Sequence, residues 1–533
     1  MRKTIFYTTF FLTLLTTIMI FQKSNTVIKK PNVLWLVCED ESLFFPFYGD
    51  TIPYTPNLSK LANDGIIYDN FFTTSPVCAP SRSSIITGMY PTTLGTQNMR
   101  AFKKGNKGEV NAKTLLPIYS TVPEKKCIFF TEILREKGYY CTNNSKEDYN
   151  MSVSPLAWDE SSTKAHWRNR KKNQPFFSVF NFNITHESML WKNKVKITED
   201  EINNIRLPSI FPNNISIKKD FLRNYKNIEI LDTKVGEIIE QLKEDGLYEN
   251  TVIFFFSDHG GPFPRYKRSI YDTGIKCPLV IKWIDEKITN RNDQMISFID
   301  LAPTILDLTA IKNNVCFEGI SFFKSDNRTH IFAATDRMDE SITKRRCIRN
   351  KKYKLIINYD SLNPIHKPNK YRSQMVTMHI LDSLNGIQKS SHYFNKWFNE
   401  PSTTYELYDI KSDLYEEHNL YGDSTYKRVF ESLNNKLELW INSSDFGNLK
   451  EEEIIKKIWP NNKKPFLNNP DIENFKNGKI IKPNNEGISI GWRNKDESDW
   501  KIYKVGEVIQ PNKEFEVIIF KMGYATVKIL FRQ

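Results

Sequence analysis

The stretch Thr251–Gly260 reads TVIFFFSDHG. Its first six residues run apolar and β-branched without polar alternation, the pattern of a strand covered on both faces. A second run of the same kind, NVLWLV at Asn32–Val37, leads through Cys38 into the acidic triplet Glu39-Asp40-Glu41. Both runs therefore end in acids. Between and around them the chain alternates further strands with helices. Asn57 to Asp64 reads as a helix stopped by Gly65, and Ile66 to Phe72 as a strand. Thr131 to Lys137 is helical, Tyr139 to Thr142 extended, and Phe176 to Asn183 a strand. Phe221 to Glu244 is a long amphipathic helix, Pro278 to Trp283 a strand, and Asp300-Leu-Ala-Pro-Thr opens a helix. This order predicts an α/β fold, a mostly parallel central sheet flanked by helices. Such sheets bind ligands beyond the carboxyl ends of their strands, where both acidic clusters fall.

The two ends of the chain read differently. Met1-Arg2-Lys3 followed by the apolar run Ile5 to Phe21 is the pattern of a signal peptide over residues 1–24, so export is expected: periplasmic, extracellular or lysosome-like. No stable membrane span is expected once it is removed. From about Ile480 short strand-like runs are separated by turn residues, which predicts a small antiparallel β module over residues 476–533. The Pro- and Asn-rich stretch Pro460 to Pro470 would join it to the rest. With 75 Lys+Arg against 62 Asp+Glu the net charge is +13, which suits an acidic partner or a solvated Lys/Asn-rich surface. No nucleic-acid-binding signature accompanies it, so nucleic acid is not expected. The seven cysteines are scattered and form no C-x-x-C pair, which argues against a disulfide scaffold, a zinc ribbon or a redox dithiol.

Three groups of residues carry candidate chemistry. Glu39, Asp40, Asp258 and His259 follow two buried strands, and a carboxylate-rich set of this kind suits Ca²⁺ or Mg²⁺ better than zinc. Ordinary solvated loop acids would look the same. Arg265, Lys267 and Arg268 follow the Asp258 cluster and would bring positive charge to a tetrahedral anion, or form a solvated basic loop. In PVCAPSRSSIITG, Pro76 to Gly88, Cys78 precedes a helix start at Pro80 and lies one turn from Arg82. That suits either an activated thiolate or a buried structural cysteine.

Cys78-Ala79-Pro80-Ser81-Arg82 followed by Ile86-Thr87-Gly88 resembles the type I sulfatase signature C-x-P-S-R-x-x-x-L-T-G, with Ile86 for the usual leucine. The resemblance extends over roughly residues 31 to 450. It implies an alkaline-phosphatase-like fold, with a catalytic domain at 31–330 and a smaller α+β subdomain at 331–459. It also implies that a formylglycine-generating enzyme converts Cys78 to Cα-formylglycine, whose hydrate is the nucleophile. Glu39, Asp40, Asp258 and His259 match the family's metal ligands around Ca²⁺ rather than Mg²⁺, with residue 78 contributing. Lys267, ahead of Tyr271-Asp272-Thr273-Gly274, matches the catalytic lysine, and His186 matches the active-site histidine. Lys146 matches the lysine of a G-K-W-H type segment, in which Ser145 replaces the glycine and Asp148 stands where histidine is usual. NNSKEDYN, EDES and AHWRNR are most similar to the branch related to heparan N-sulfatase. His166, Arg265, Arg268 and Arg337 are further candidates for substrate binding.

The implied activity is hydrolysis of sulfate esters, or of N-sulfate, on a sulfated glycan or glycosaminoglycan fragment. One hydroxyl of the hydrated aldehyde attacks sulfur while Lys146, Lys267 and Arg82 neutralise the sulfuryl oxygens, and His186 protonates the leaving group. The second hydroxyl then collapses and expels sulfate. Alternatives are a phosphomonoester or phosphonate hydrolase of the same superfamily, and a sulfated-glycan-binding protein without catalysis.

Overall fold

The computed structural model describes residues 30–102, 110–111, 114–284, 290–312, 315, 317–323 and 328–532. The expected signal peptide and Cys316 lie outside the described residues. The first run becomes β1 (Asn32–Cys38) and the opening stretch becomes β6 (Thr251–Ser257); all seven residues of each are buried. They pair in parallel from Asn32 with Thr251 to Cys38 with Ser257. On the other side of β1 lies β5 (Phe176–Phe182), followed outward by β3 (Tyr140–Asn144) and β4 (Glu160–Ser161), all parallel.

Beyond β6 the direction changes. The run expected at Pro278 to Trp283 is β8 (Leu279–Lys282), which lies antiparallel between β6 and β2 (Ile66–Phe72). β7 (Lys276–Cys277) and β9 (Asn290–Ser297) also pair with β2, the latter in parallel. The sheet is thus mostly parallel, with antiparallel pairings confined to one side.

Successive side chains of β1 enter two separate cores, as strand pleating requires. Val33, Trp35 and Val37 face one layer, where the Trp35 ring lies 4.9–6.2 Å from Phe130, Phe177, Phe254 and Phe256. Leu34 and Leu36 face the other, under the helix Ile215–Glu244. That helix begins six residues before the expected Phe221, because the Asn214 side chain accepts from Ser216 N at 2.8 Å and caps it.

A four-stranded antiparallel sheet follows: β10 (Ile331–Met338), β11 (Ser341–Arg349), β12 (Tyr353–Asn358) and β13 (Tyr405–Asp409). The helix Lys427–Ser443 covers one of its faces. The terminal strands begin earlier than expected, with a hairpin of Asp471–Phe475 and Gly478–Lys482 before a four-stranded sheet. These strands dock on the first part of the chain. Arg135 donates to the Trp500 carbonyl, Gly523 N donates to Ser152 Oγ at 3.1 Å, and a Cβ at Gly491 would meet Leu156 at 2.5 Å. Among the described residues no helix is long and apolar enough to cross a membrane.

One tertiary contact substitutes for a missing cap. Thr55 makes no side-chain cap bond to the helix Pro56–Asn63. Asp232, from the long helix, instead accepts from Leu58 N at 2.7 Å and Asn57 N at 3.2 Å. Asp232→Ala leaves two helix-start donors without that acceptor and is expected to cost about 1–3 kcal/mol. Thermal melts against the parent protein check this.

Candidate active site

The register of β1 and β6 brings Cys38 beside Ser257, so the residues that follow emerge side by side at one sheet edge. Asp258 N donates to the Cys38 carbonyl at 3.1 Å, Asp40 N to Asp258 Oδ1 at 3.2 Å, and Glu41 N to Ser257 Oγ at 2.9 Å. Asp40 adopts φ 52°, which turns its carboxylate back over the strand end. Glu41 turns away: Asn224 Nδ2 donates to it, and burial pushes its carboxyl well up. It takes no part in the cluster.

The helix Cys78–Thr87 is buried along its whole length, consistent with a sequence that has no polar face. It stops at Gly88, where φ is 67° and a Cβ would meet Phe317 at 2.6 Å. Its first residue, Cys78, places Sγ 3.3 Å from His259 Nε2 and 4.0 Å from Asp40 Oδ1. Ser81 Oγ donates to the Asp258 carbonyl. Arg82 Nε donates to Asp258 Oδ2 at 3.0 Å and Nη1 to Asn181 Oδ1 at 2.7 Å, while Nη2 is buried without a partner among the described residues.

Two lysines close the cluster. Lys146 Nζ reaches Glu39 Oε2 at 2.7 Å, and Lys267 Nζ reaches Asp40 Oδ2 at 2.6 Å. His186 Nε2 lies 3.3 Å from Lys267 Nζ, and its Nδ1 is 2.9 Å from Ser188 Oγ. The nine residues Glu39, Asp40, Cys78, Arg82, Lys146, His186, Asp258, His259 and Lys267 are thus one connected group.

Electrostatics follow from this crowding. Burial raises the Cys78 thiol, but Lys146 and Lys267 outweigh it and bring it down to about 6. Burial works against a charged His259, yet Asp258, the Cys78 thiolate and Asp40 raise it to about 10. Burial likewise opposes ionised Asp258, and His259, Arg82 and Lys146 hold it down to about 2. Asp40 is also held well below the carboxylate range, by Lys267, His186 and His259 against its burial. Ligand atoms from Glu39, Asp40, Cys78 and His186 lie within 4.8 Å of one another, as do those from Cys78, Asp258 and His259. Ionised carboxylates converging on one point fit a hard divalent cation.

A cleft of about 600 Å³ opens beside the cluster, lined among others by Glu39, Arg100, Lys146, Asp148 and Asn181. Asp148 accepts from Arg100 Nη1 at 3.0 Å and lies 3.9 Å from Lys146 Nζ.

The substrate-binding expectations fare differently. His166 lies apart from the cleft: its Nδ1 accepts from Arg168 N, its Nε2 meets Gln241 Oε1 at 3.2 Å, and it is not among the cleft-lining residues. The fully buried guanidinium of Arg265 stacks 3.3 Å from the Tyr271 ring centroid and pairs with Glu416. Arg337 is spent on Glu451 and on the carbonyls of Met99 and Asp339. Arg268 touches the cluster only through Glu187, gripping it with Nη1 at 2.9 Å and Nη2 at 2.7 Å.

Glu187 itself escaped the sequence reading. Its backbone N donates to Asp40 Oδ2 at 2.7 Å, and its carboxylate pairs with Lys267 at 3.1 Å as well as with Arg268. Burial would raise it, but Arg268 and Lys267 draw it down to about 2. A lone acid after His186 carries no local signal; only the fold reveals its place. The six described cysteines form no disulfide with one another.

Residues 31–311 match the family model described as Sulfatase, and residues 263–366 match N-sulphoglucosamine sulphohydrolase, C-terminal. The chain belongs to the sulfatase family. It is accordingly a sulfuric ester hydrolase by class. It is 37% identical to an ulvan-active sulfatase of Formosa agariphila, over 94% of this chain and 91% of that one. Human N-sulphoglucosamine sulphohydrolase is 21% identical over 77% of this chain and 89% of its own length. A solved structure in complex with its substrate D-glucosamine-2-N,6-O-disulfate shares the fold, with a TM-score of 0.56 and 17% identity over 79% of this chain and 100% of that one.

Glu187→Gln keeps the shape but leaves Arg268 and Lys267 short of a buried counter-charge. Breaking such a pair is expected to destabilise by about 3–5 kcal/mol. Urea unfolding of the variant and parent measures it.

Proposed function

We propose that this sulfatase removes sulfate from a sulfated carbohydrate, with Cys78 matured to Cα-formylglycine and a divalent cation, Ca²⁺, held by Glu39, Asp40, Asp258 and His259. The observation that carries the reading is the buried convergence at Cys78: two ionised aspartates, His259, and an Arg82 Nη2 left without a partner. An exposed acid loop would show none of this burial. The cleft of about 600 Å³ beside Lys146 has room for a sugar. A relative named as ulvan-active supports a polysaccharide substrate, and the N-sulphoglucosamine sulphohydrolase match keeps N-sulfate in view. Export and maturation by a formylglycine-generating enzyme belong to the same proposal.

When present, the aldehyde hydrate supplies a hydroxyl nucleophile and the cation supplies positive charge. The rest is done by side chains of the chain itself. Arg82 Nη2, Lys146 and Lys267 bind and orient the sulfuryl oxygens, charge-assisted contacts stronger than neutral ones. Asp258 fixes the Arg82 guanidinium, and Glu39 and Asp40 fix the two lysines. His259, its Nδ1 2.9 Å from the Gly260 carbonyl, turns Nε2 toward residue 78, where its lone pair is free for the cation. His186 is anchored through Nδ1, which leaves Nε2 at the edge of the cluster to give a proton to the leaving oxygen or nitrogen.

Protein made in a host that matures such cysteines is expected to carry an aldehyde at position 78, read by peptide mass spectrometry. It should release sulfate from a sulfated oligosaccharide over many turnovers, whereas Cys78→Ser should not. Activity that is unchanged in Cys78→Ser, or faster on aryl phosphate than on aryl sulfate, would overturn the reading. Chelation should abolish turnover and added calcium restore it. His186→Ala should lower kcat by about 10²–10⁴-fold.

A further inference from the structure

Behind the Lys267 loop, against the antiparallel sheet, lies a separate cavity of about 30 Å³. Six cationic side chains line it, Arg265, Lys267, Arg268, Arg345, Lys367 and Arg372, and no carboxylate does. Four of them are neutralised from outside the cavity. Arg265 pairs with Glu416, Lys267 with Asp40 and Glu187, Arg268 with Glu187 and Asp339, and Lys367 with Asp360.

The other two are not. Arg345 is 8% exposed, and its side chain makes no hydrogen bond or ion pair among the described residues. Asp360, the acid that feels its field, is already paired with Lys367 at 2.8 Å. Arg372, also 8% exposed, donates to the Lys367 carbonyl and to His366 Nδ1 and lies 5.2 Å from the Trp397 ring centroid. Its Nε is buried without a partner, and Glu187, Asp382 and Glu340 act on it only from beyond ion-pair distance. Burial and the nearby Arg268 pull it down to about 10.

A guanidinium buried without a counter-charge, as at Arg372, is unfavourable, and Arg345 brings a second unpaired positive charge to the same cavity. Arginine stays protonated under these conditions, so shedding a proton is no remedy. We infer that the cavity between Arg345 and Arg372 is a binding site for a compact inorganic anion, such as halide or free sulfate, sharing Lys267 alone with the catalytic cluster. The volume has room on the order of two water-sized particles, which suits a free ion and not a sugar. Such an ion would join β11, which carries Arg345, to the segment of Arg372 and the loop of Lys267 and Arg268. It would hold the catalytic lysine's loop against the antiparallel sheet.

The test uses the full-length protein at constant ionic strength, with sodium gluconate replaced stepwise by chloride or sulfate. The parent protein should gain a saturable rise in Tm of about 2–6 °C. Arg345→Met should lose that rise while melting at or above the parent in gluconate, since the uncompensated charge is gone. Crystals soaked in bromide should show anomalous scattering between Arg345 and Arg372, a readout that stands even if the variant folds poorly. Equal anion dependence in parent and variant overturns the inference, as does an absence of bromide there. Density in the cavity only when a sulfated oligosaccharide is added also overturns it, and assigns the cavity to the glycan.

Discussion

The structure turns on the in-register parallel pairing of β1 with β6. Seven consecutive residues of each strand are buried on both faces, so the pairing is locked by two cores at once. A slip of one residue would exchange the two faces of β1 and drive Trp35 out of its aromatic nest. The same register sets the chemistry. Glu39-Asp40 and Asp258-His259 can meet only because Cys38 and Ser257 are neighbours. Two carboxylates at a buried strand edge then demand counter-charge, and it arrives from segments far apart in sequence: Arg82 on a helix start, Lys146 after β3, Lys267 in the loop after β6.

That demand explains why so much charge is buried around the site. Replacing buried ion pairs by apolar residues is often neutral or stabilising, so such clusters are poor evidence of selection for stability. Here each cation is held by a carboxylate that is itself held, as Glu187 shows by spanning Lys267, Arg268 and the backbone beside Asp40. The arrangement fixes where positive charge stands before any substrate arrives. Pre-set dipoles and charges of this kind need no reorganisation during a reaction. The antiparallel sheet extends the same support, since Asp272, next to Tyr271, pairs with Arg349 and Lys354 from β11 and β12.

What could be read from sequence follows from how local each signal is. β1 and β6 were legible because burial on both faces leaves a continuous apolar run, and the acids at their ends needed only strand-end placement. The helix at Cys78 was legible through its signature. Charge alone did not separate Arg265, Lys267 and Arg268, and only the resemblance singled out Lys267, although their side chains go to three different places. The chain passes through φ 74° at Arg265 and 66° at Arg268, which separates them: one into an aromatic pocket, one to Asp40, one to Glu187 and Asp339. The surroundings of His166 and Arg337 were illegible for a related reason. A polar residue near a motif is a candidate in sequence, but its partners, Gln241 and Glu451, are 75 and 114 residues away.

The net charge of +13 deserves the same separation of local from global. Fields from exposed charges fade over about 8–10 Å in physiological salt, so distant surface lysines contribute little at the cleft. Many of the described ones are also paired, as Lys482 with Glu473 and Lys495 with Glu514. The cations that face the cleft are few, Arg100 and Lys146 among them, each in contact with a carboxylate that limits its motion. Under the proposed function, an acidic sugar entering the cleft would meet fixed, partly buried charges whose screening is weak. In the proposed function, recognition of the substrate would rest on the placement of those side chains, and the overall excess of positive charge would only assist the encounter.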